Sequence, residues 1–318
     1  MVKKYLNNRF FILYFIPFIL GSLTVFSFQP FNLTLINFLI LPLFFYLIVH
    51  IKKKSKSTYR NKPYRKNLFM FGLAFGFGYY LGGIHWITYS LTFDENFKIL
   101  IPFGLILIPL FLSLFFSIVT LLAGPLLNLN ITSIFFLSGS LAFSDYLRAK
   151  ILTGFPWNLW AYSFSWATEI IQILNNIGLY AFNLMSITIF MTPAILFFNI
   201  KLSKKFLLLI ILALVLFILY IYGNHSINKN KFFLKSNINK FNIKVVSPNF
   251  NLEYELAPKE IENRLKKLIR YSEPNQDLKT LFVWPEGVFN RYSFKEVFEF
   301  KDIISNNFNK NHYILFGV

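Results

Sequence analysis

The residue best placed to do chemistry in this 318-residue chain is Glu286, in the run Leu281-Phe282-Val283-Trp284-Pro285-Glu286-Gly287. An apolar stretch stops at a proline, and a carboxylate follows. Proline fixes φ and lacks a backbone donor, so it ends a strand and aims the next side chain. In layered α/β folds, ligands gather beyond the carboxyl ends of strands. An acid there, half-shielded by Trp284 and Phe289, suits proton abstraction near neutral pH. The plain alternative is a loop acid paired with Arg291 or Lys295. The pattern by itself leaves both open.

A second candidate is the stretch 144–165, where Gly154, Phe155, Pro156 and Trp157 are followed by Trp160 and Tyr162. This reads as a turn-rich aromatic loop at a membrane surface. It serves either as an interfacial aromatic belt, which is common, or as a lipid- and substrate-facing loop. Other polar residues carry weaker signals. Asp145 and Arg148, three apart near a helix end, are expected to pair with each other or with headgroups. His85 reads as an interfacial polar residue. Asp94 and Glu95 read as a solvated loop, and His50, His225 and His312 lack metal-ligand spacing. There is no cysteine, which excludes disulfides, thiolate metal sites and a Cys nucleophile within these residues. No metal or cofactor is expected. Gly72, Gly76, Gly78, Gly82 and Gly83 suggest close helix packing, since no strand precedes them as a nucleotide loop would require.

The elements that position these residues follow from composition. The chain is 55% hydrophobic and 20% aromatic, which points to a membrane protein. The net charge of +18 sits in short clusters beside apolar runs. That placement reads as topology rather than a nucleic-acid patch. Seven apolar stretches qualify as spans: about 10–28, 32–51, 68–91, 98–123, 131–147, 168–199 and 205–222, the sixth broken or tilted near Gly178. The N-terminal stretch reads as a retained first span, because no cleavage site follows it. Lys3, Lys4 and Arg9 precede the first span, the 51–66 loop carries eight Lys/Arg, and Lys201, Lys204 and Lys205 follow the sixth. By the positive-inside bias the N-terminus is cytoplasmic and everything after Tyr222 is outside. The domains are then 1–222, helical and membrane-embedded, and 223–318. The second opens with a polar linker (224–240) and continues as strand 241–246, helix 258–272, strand 280–284, helix 294–308 and strand 312–318. This order implies a sheet with packed helices. Ending inside a strand leaves an apolar edge, so the chain is expected to be a piece of a larger protein.

Taken together, these segments resemble bacterial apolipoprotein N-acyltransferase. The resemblance is carried by Gly21–Asn32, Gly76–Ser90, Tyr146–Ser163, Gly178–Leu184, Val245–Phe250 and Val283–Gly287. It implies a polytopic α-helical membrane domain of about seven spans followed by a partial α/β nitrilase-like (αββα, carbon-nitrogen hydrolase) domain. It also implies a Glu-Lys-Cys triad in which Glu286 is the general base. The Cys takes an acyl chain from a phospholipid as a thioester and passes it to the amino group of a diacylated apolipoprotein. Gly154, Phe155, Pro156 and Trp157 fall in the family's most recognisable loop, near lipid and substrate. The implied partners are a phospholipid donor, a diacylated apolipoprotein acceptor and membrane lipid, without nucleic acid. The implied location is the bacterial inner membrane, with the C-terminal domain periplasmic. The family's Lys and Cys match no residue here, and the Trp that often follows its "PN" turn is missing, so these 318 residues alone are expected to be inactive. The competing readings are a truncated, inactive paralogue, a transporter or scaffold with an interaction module, and a tethered amidase. Nearly charge-free spans argue against a transporter.

Overall fold

The computed structural model describes residues 9–54, 64–151, 154–236, 242–250, 256–289 and 292–317, with residues 234–236 described by backbone only. Lys3 and Lys4, residues 55–63 of the basic loop, residues 251–255 after the "PN" turn, and Arg291 lie outside the described residues. The chain divides into two compact units, Met1–Asn230 and Lys231–Val318.

Helices overlap the stretches read as spans: α1 Phe11–Ser27, α2 Asn37–Lys54, α3 Tyr64–Ile84, α4 Ile101–Ala123, α5 Ile131–Arg148 and α6 Leu179–Met191 in the first unit, and α7 Leu202–Ser236, which runs past that unit's boundary at Asn230. Five helical stretches are long and apolar enough to cross a membrane: Thr34–Lys54, Tyr64–Thr92, Glu95–Leu126, Leu179–Phe197 and Leu202–Phe233. α1 is apolar but short. α5 is diluted by Ser133, Ser138, Ser140, Ser144, Asp145 and Arg148. The stretch read as one sixth span is broken. Two short helices, Thr168–Ile171 and Leu174–Ile177, end at Gly178, whose φ of +78° starts α6 in a new direction.

Small residues set the helix spacing. α3 lies against both α1 and α4. A Cβ at Gly78 would fall 2.1 Å from the Phe18 carbonyl oxygen of α1, and one at Gly72 would fall 2.1 Å from Thr120 Oγ1 of α4. The glycines at four-residue spacing therefore let backbones touch on two faces of one helix, the packing that compensates for the weak hydrophobic drive between helices in lipid. Thr120 Oγ1 donates to the Leu68 carbonyl at 2.8 Å and ties α4 to α3. Phe44, Phe71, Phe75, Tyr79 and Tyr80 fill the interior and are essentially inaccessible.

The polar linker read at 224–240 is helical as far as Ser236. After Gly223 the sequence contains neither proline nor glycine up to that point, and Asn, Lys and Ser weaken a helix without ending it.

The second unit is a three-stranded parallel sheet, β1 Asn242–Val245, β2 Thr280–Val283 and β3 His312–Leu315, in the order β1-β2-β3. The connections carry helices α8 Pro258–Ser272, α9 Phe294–Phe298 and α10 Lys301–Ser305. α8 matches its prediction: Pro258 opens it, and Ile261, Leu265, Leu268 and Ile269 are buried. The helix expected over 294–308 is two short ones, interrupted by a turn at Glu299–Phe300. One face of the sheet, with Phe282 and Ile314, packs with α8, Trp284 and Val297. The other carries Ile243, Val245, Tyr313 and Leu315, each more than half exposed. Strand alternation makes that face as apolar as the covered one.

Candidate functional site

Glu286 stands where the sequence places it, just beyond the carboxyl end of the central strand β2, and its side chain is exposed. Its surroundings are anchored. Trp284, which precedes the turn, is buried, and its Nε1 donates to Ser272 Oγ of α8 at 3.0 Å. The Trp284 amide donates to the Leu315 carbonyl at 2.9 Å, extending the ladder one residue past the strand. Gly287 takes φ +74°, a conformation that releases the chain from the strand direction. Beyond it, the Val288 carbonyl accepts from Arg264 Nη1 of α8 at 3.1 Å. Val288 and Phe289 are buried. Gly317, at the end of β3, faces the acid: a Cβ there would lie 3.1 Å from Glu286 Cγ. The arrangement thus fixes the backbone on both sides of an acid and leaves its carboxylate free for a partner. No ion pair joins Glu286 to Lys295 among the described residues, so one half of the plain alternative finds no support. Arg291, the other half, lies outside the described residues.

The aromatic loop of the first unit is held by a buried polar network. Arg148 and Asp145 pair at 3.0 Å, as expected, and both are buried. Arg148 does more than pair. Its Nη1 donates to the carbonyls of Phe155 at 2.5 Å and Trp157 at 2.8 Å, and its guanidinium lies 5.4 Å from the Tyr80 ring centroid. Asp145 Oδ2 accepts from Asn183 Nδ2 of α6 at 2.8 Å. The Asn183 Oδ1 in turn accepts from the Ala161 amide at 3.1 Å. Tyr79 of α3 donates its hydroxyl to the Asn158 carbonyl. Thr34, before α2, donates to the Ser163 carbonyl at 2.6 Å. Side chains from four parts of the bundle therefore grip one loop by its backbone.

That grip sorts the predicted residues. Gly154 has φ +78°, and a Cβ would meet the Ala149 carbonyl oxygen at 2.5 Å, so the turn requires glycine. Phe155 is half-buried, while Pro156 and Trp157 are exposed. Trp160, by contrast, is sealed inside, 5.2 Å from the Tyr79 ring. The exposed Trp157 meets Trp86 edge to face at 5.4 Å. Trp86 follows His85, whose Nδ1 lies 3.0 Å from the Gly82 carbonyl oxygen, a satisfied polar residue as read. Sequence reasoning missed Asn183, Tyr79 and Asn158. The signal for Asn183 was present: an amide inside an apolar helix needs an interior partner. Among the described residues no cluster of three or more His, Asp or Glu side chains forms a metal site.

Residues 20–191 match the model of the apolipoprotein N-acyltransferase N-terminal domain, more than half of the chain. The chain belongs to the apolipoprotein N-acyltransferase family. Curated relatives of that name agree with it. The Rhodopseudomonas palustris protein is 26% identical over 283 residues, 86% of this chain and 51% of its own length. The Bradyrhizobium diazoefficiens protein is 33% identical over 175 residues, 55% of this chain and 32% of its own. The Rickettsia prowazekii protein is 30% identical over 218 residues, 68% of this chain and 42% of its own. The chain spans about half the length, or less, of the curated relatives it matches. The family-model match contains the whole loop 154–163 and all the residues that grip it. Glu286 lies beyond that match.

Proposed function

We propose that the complete protein transfers an acyl chain from a phospholipid to the N-terminal amino group of a diacylglyceryl-cysteine apolipoprotein, at the outer face of a bacterial inner membrane. The observation that carries this reading is Glu286: an exposed carboxylate on an anchored turn at the carboxyl rim of a parallel sheet, in a chain of the N-acyltransferase family. On this reading Glu286 is the general base and removes the proton of a thiol. The thiolate attacks the ester carbonyl of the phospholipid, and the lysophospholipid leaves with a proton on its oxygen. The amine of the apolipoprotein attacks the resulting thioester, a proton is lost from nitrogen, and the thiol is restored. These 318 residues hold no cysteine, so the thiol comes from outside them and they do not complete the reaction alone. No lysine among them is assigned the charge-stabilising role.

The uncovered apolar face of the sheet supports a nitrilase-like layered domain, in which a second layer stacks on the first. In this proposal residues 1–222 form the membrane domain of about seven spans. The N-terminus is cytoplasmic, the 223–318 region is periplasmic, and Gly154–Trp157 meet lipid and substrate at the outer surface. Two lipid-anchored substrates then reach the site laterally without leaving the bilayer. In the full-length enzyme, Glu286→Gln abolishes acyl transfer to a diacylated lipopeptide while membrane insertion and abundance stay unchanged. Wild-type turnover by that variant overturns the base assignment. Labelling that places residue 286 in the cytosol overturns the topology.

A further inference from the structure

The helical unit has a concave surface toward the opposite end of α5 from Arg148. A groove of about 620 Å³ opens between α5, α6 and α7, with Ile134, Gly139, Leu184, Ile195, Leu208 and Leu212 in its walls. Sites that enclose drug-sized molecules span about 300–1,000 Å³. Its few polar groups are turned back onto their own helix. Thr188 Oγ1 donates to the Leu184 carbonyl and Thr192 Oγ1 to the Thr188 carbonyl, both at 2.8 Å. What remains is hydrocarbon. Gly139 marks real space, because a Cβ built there meets nothing within 4 Å.

One end of this apolar wall is basic. On α7 the wall is the stripe Leu208, Ile211, Leu212 and Val215. Helical spacing puts Lys204 and Lys205 on the same stripe, one turn before Leu208, and Lys201 immediately precedes the helix. Lys205 Nζ donates to the Leu196 carbonyl at 2.9 Å, which fixes it beside the Ile195 wall. Lys201 and Lys204 are exposed. The sequence has no Asp or Glu from 96 to 144 or from 170 to 252, so the three helices that form the groove offer these lysines no carboxylate except at the far end of α5. From Leu208 to Val215 the stripe runs about 10 Å, within the depth of one leaflet of a hydrocarbon core about 30 Å thick. Ammonium groups at one end of a membrane-deep apolar groove match a phosphate headgroup joined to an acyl chain.

We propose that this groove is a binding site for an anionic phospholipid, one acyl chain lying along α5, α6 and α7 and the phosphate meeting Lys201 and Lys204. By the orientation proposed above the lipid belongs to the cytoplasmic leaflet. The site is thus distinct from the outer loop and independent of the catalytic reading.

The test uses the purified full-length protein in detergent and native mass spectrometry. Phosphatidylglycerol and phosphatidylcholine with the same chains are added in turn. Wild type retains one phosphatidylglycerol at least about tenfold better than phosphatidylcholine, the scale expected of two lysines near a headgroup. Lys201→Gln/Lys204→Gln, a change of exposed side chains only, removes that preference. Gly139→Leu, which fills the groove, removes retention itself, whereas Gly139→Ala preserves it. Glycerophosphoglycerol, a headgroup without chains, fails to displace the lipid. Equal retention of the two lipids, undiminished retention by Gly139→Leu, displacement by the bare headgroup, or a dimer that fills the groove in place of lipid each overturns the proposal.

Discussion

Arg148→Met tests whether a buried cation shapes the 154–163 loop. The substitution keeps an unbranched apolar stem and removes every donor. Three polar contacts go, to the Phe155 carbonyl, the Trp157 carbonyl and Asp145, and with them the guanidinium over the Tyr80 ring. Asp145 is then left buried with Asn183 as its remaining partner. A hydrogen bond to a charged group contributes about 1.5–3 kcal/mol net. Removing one member of a buried ion pair costs about 3–5 kcal/mol, because the other charge stays behind. These figures overlap rather than add, so the expected loss is about 4 kcal/mol. Unfolding of the full-length protein by SDS titration in mixed micelles, followed through tryptophan fluorescence, measures it. Asp145→Leu/Arg148→Met removes both charges and recovers part of the loss, since no charge stays buried and unpaired, although the loop carbonyls and Asn183 Nδ2 lose their partners. A single variant within about 0.5 kcal/mol of wild type, the range of ordinary surface changes, refutes the clamp. So does a double variant as unstable as the single one.

Gly78→Val forces a branched side chain toward a carbonyl oxygen that its Cβ alone would approach to 2.1 Å. α1 and α3 must separate, and the same titration reads a loss of about 1–3 kcal/mol or more. Gly317→Val crowds Glu286 from 3.1 Å away. In the full-length enzyme it lowers acyl transfer more than stability, read by lipopeptide acylation alongside the unfolding midpoint. In the second unit, the amide and hydroxyl of Ser293 both donate to Glu296 at 2.7 Å and hold its carboxyl below the ordinary value of 4.5. The folded pKa is depressed, so this cap contributes above pH 4.5 and is lost as the pH falls further through the lowered value. Amide exchange over 294–298, corrected for intrinsic rates, distinguishes Glu296→Gln from wild type at neutral pH and converges with it in acid.

Much of this architecture was legible in the residues. Pro258 and the four apolar positions behind it gave α8 with its buried face, because a short amphipathic helix is determined by its own period. Pro285 gave the end of the strand that presents Glu286, while the positive φ of Gly287 came from the structure. The glycines of α3 gave a closely packed helix, though not which neighbour each would touch. What stayed hidden depends on contacts distant in sequence. Asn183 reads as one amide in an apolar run, and only the packing of α5 beside α6 brings it to Asp145. Arg148 reads as half of an i,i+3 pair, and the return of the chain at Gly154 turns it into a clamp on two carbonyls. Residues 224–236 read as a linker because they are polar, yet polarity sets solvation rather than backbone conformation. α5 reads as a span at 131–147 and is a helix there, but its serines keep it below the apolarity of the five long stretches.

The bare side of the β-sheet has a consequence for biogenesis. Ile243, Val245, Tyr313 and Leu315 line it, and β1 and β3 each present a strand edge among the described residues. Such a surface recruits other strands indiscriminately. Left bare during synthesis, it invites pairing and aggregation, and in the layered domain proposed above a second layer docking on it removes that hazard.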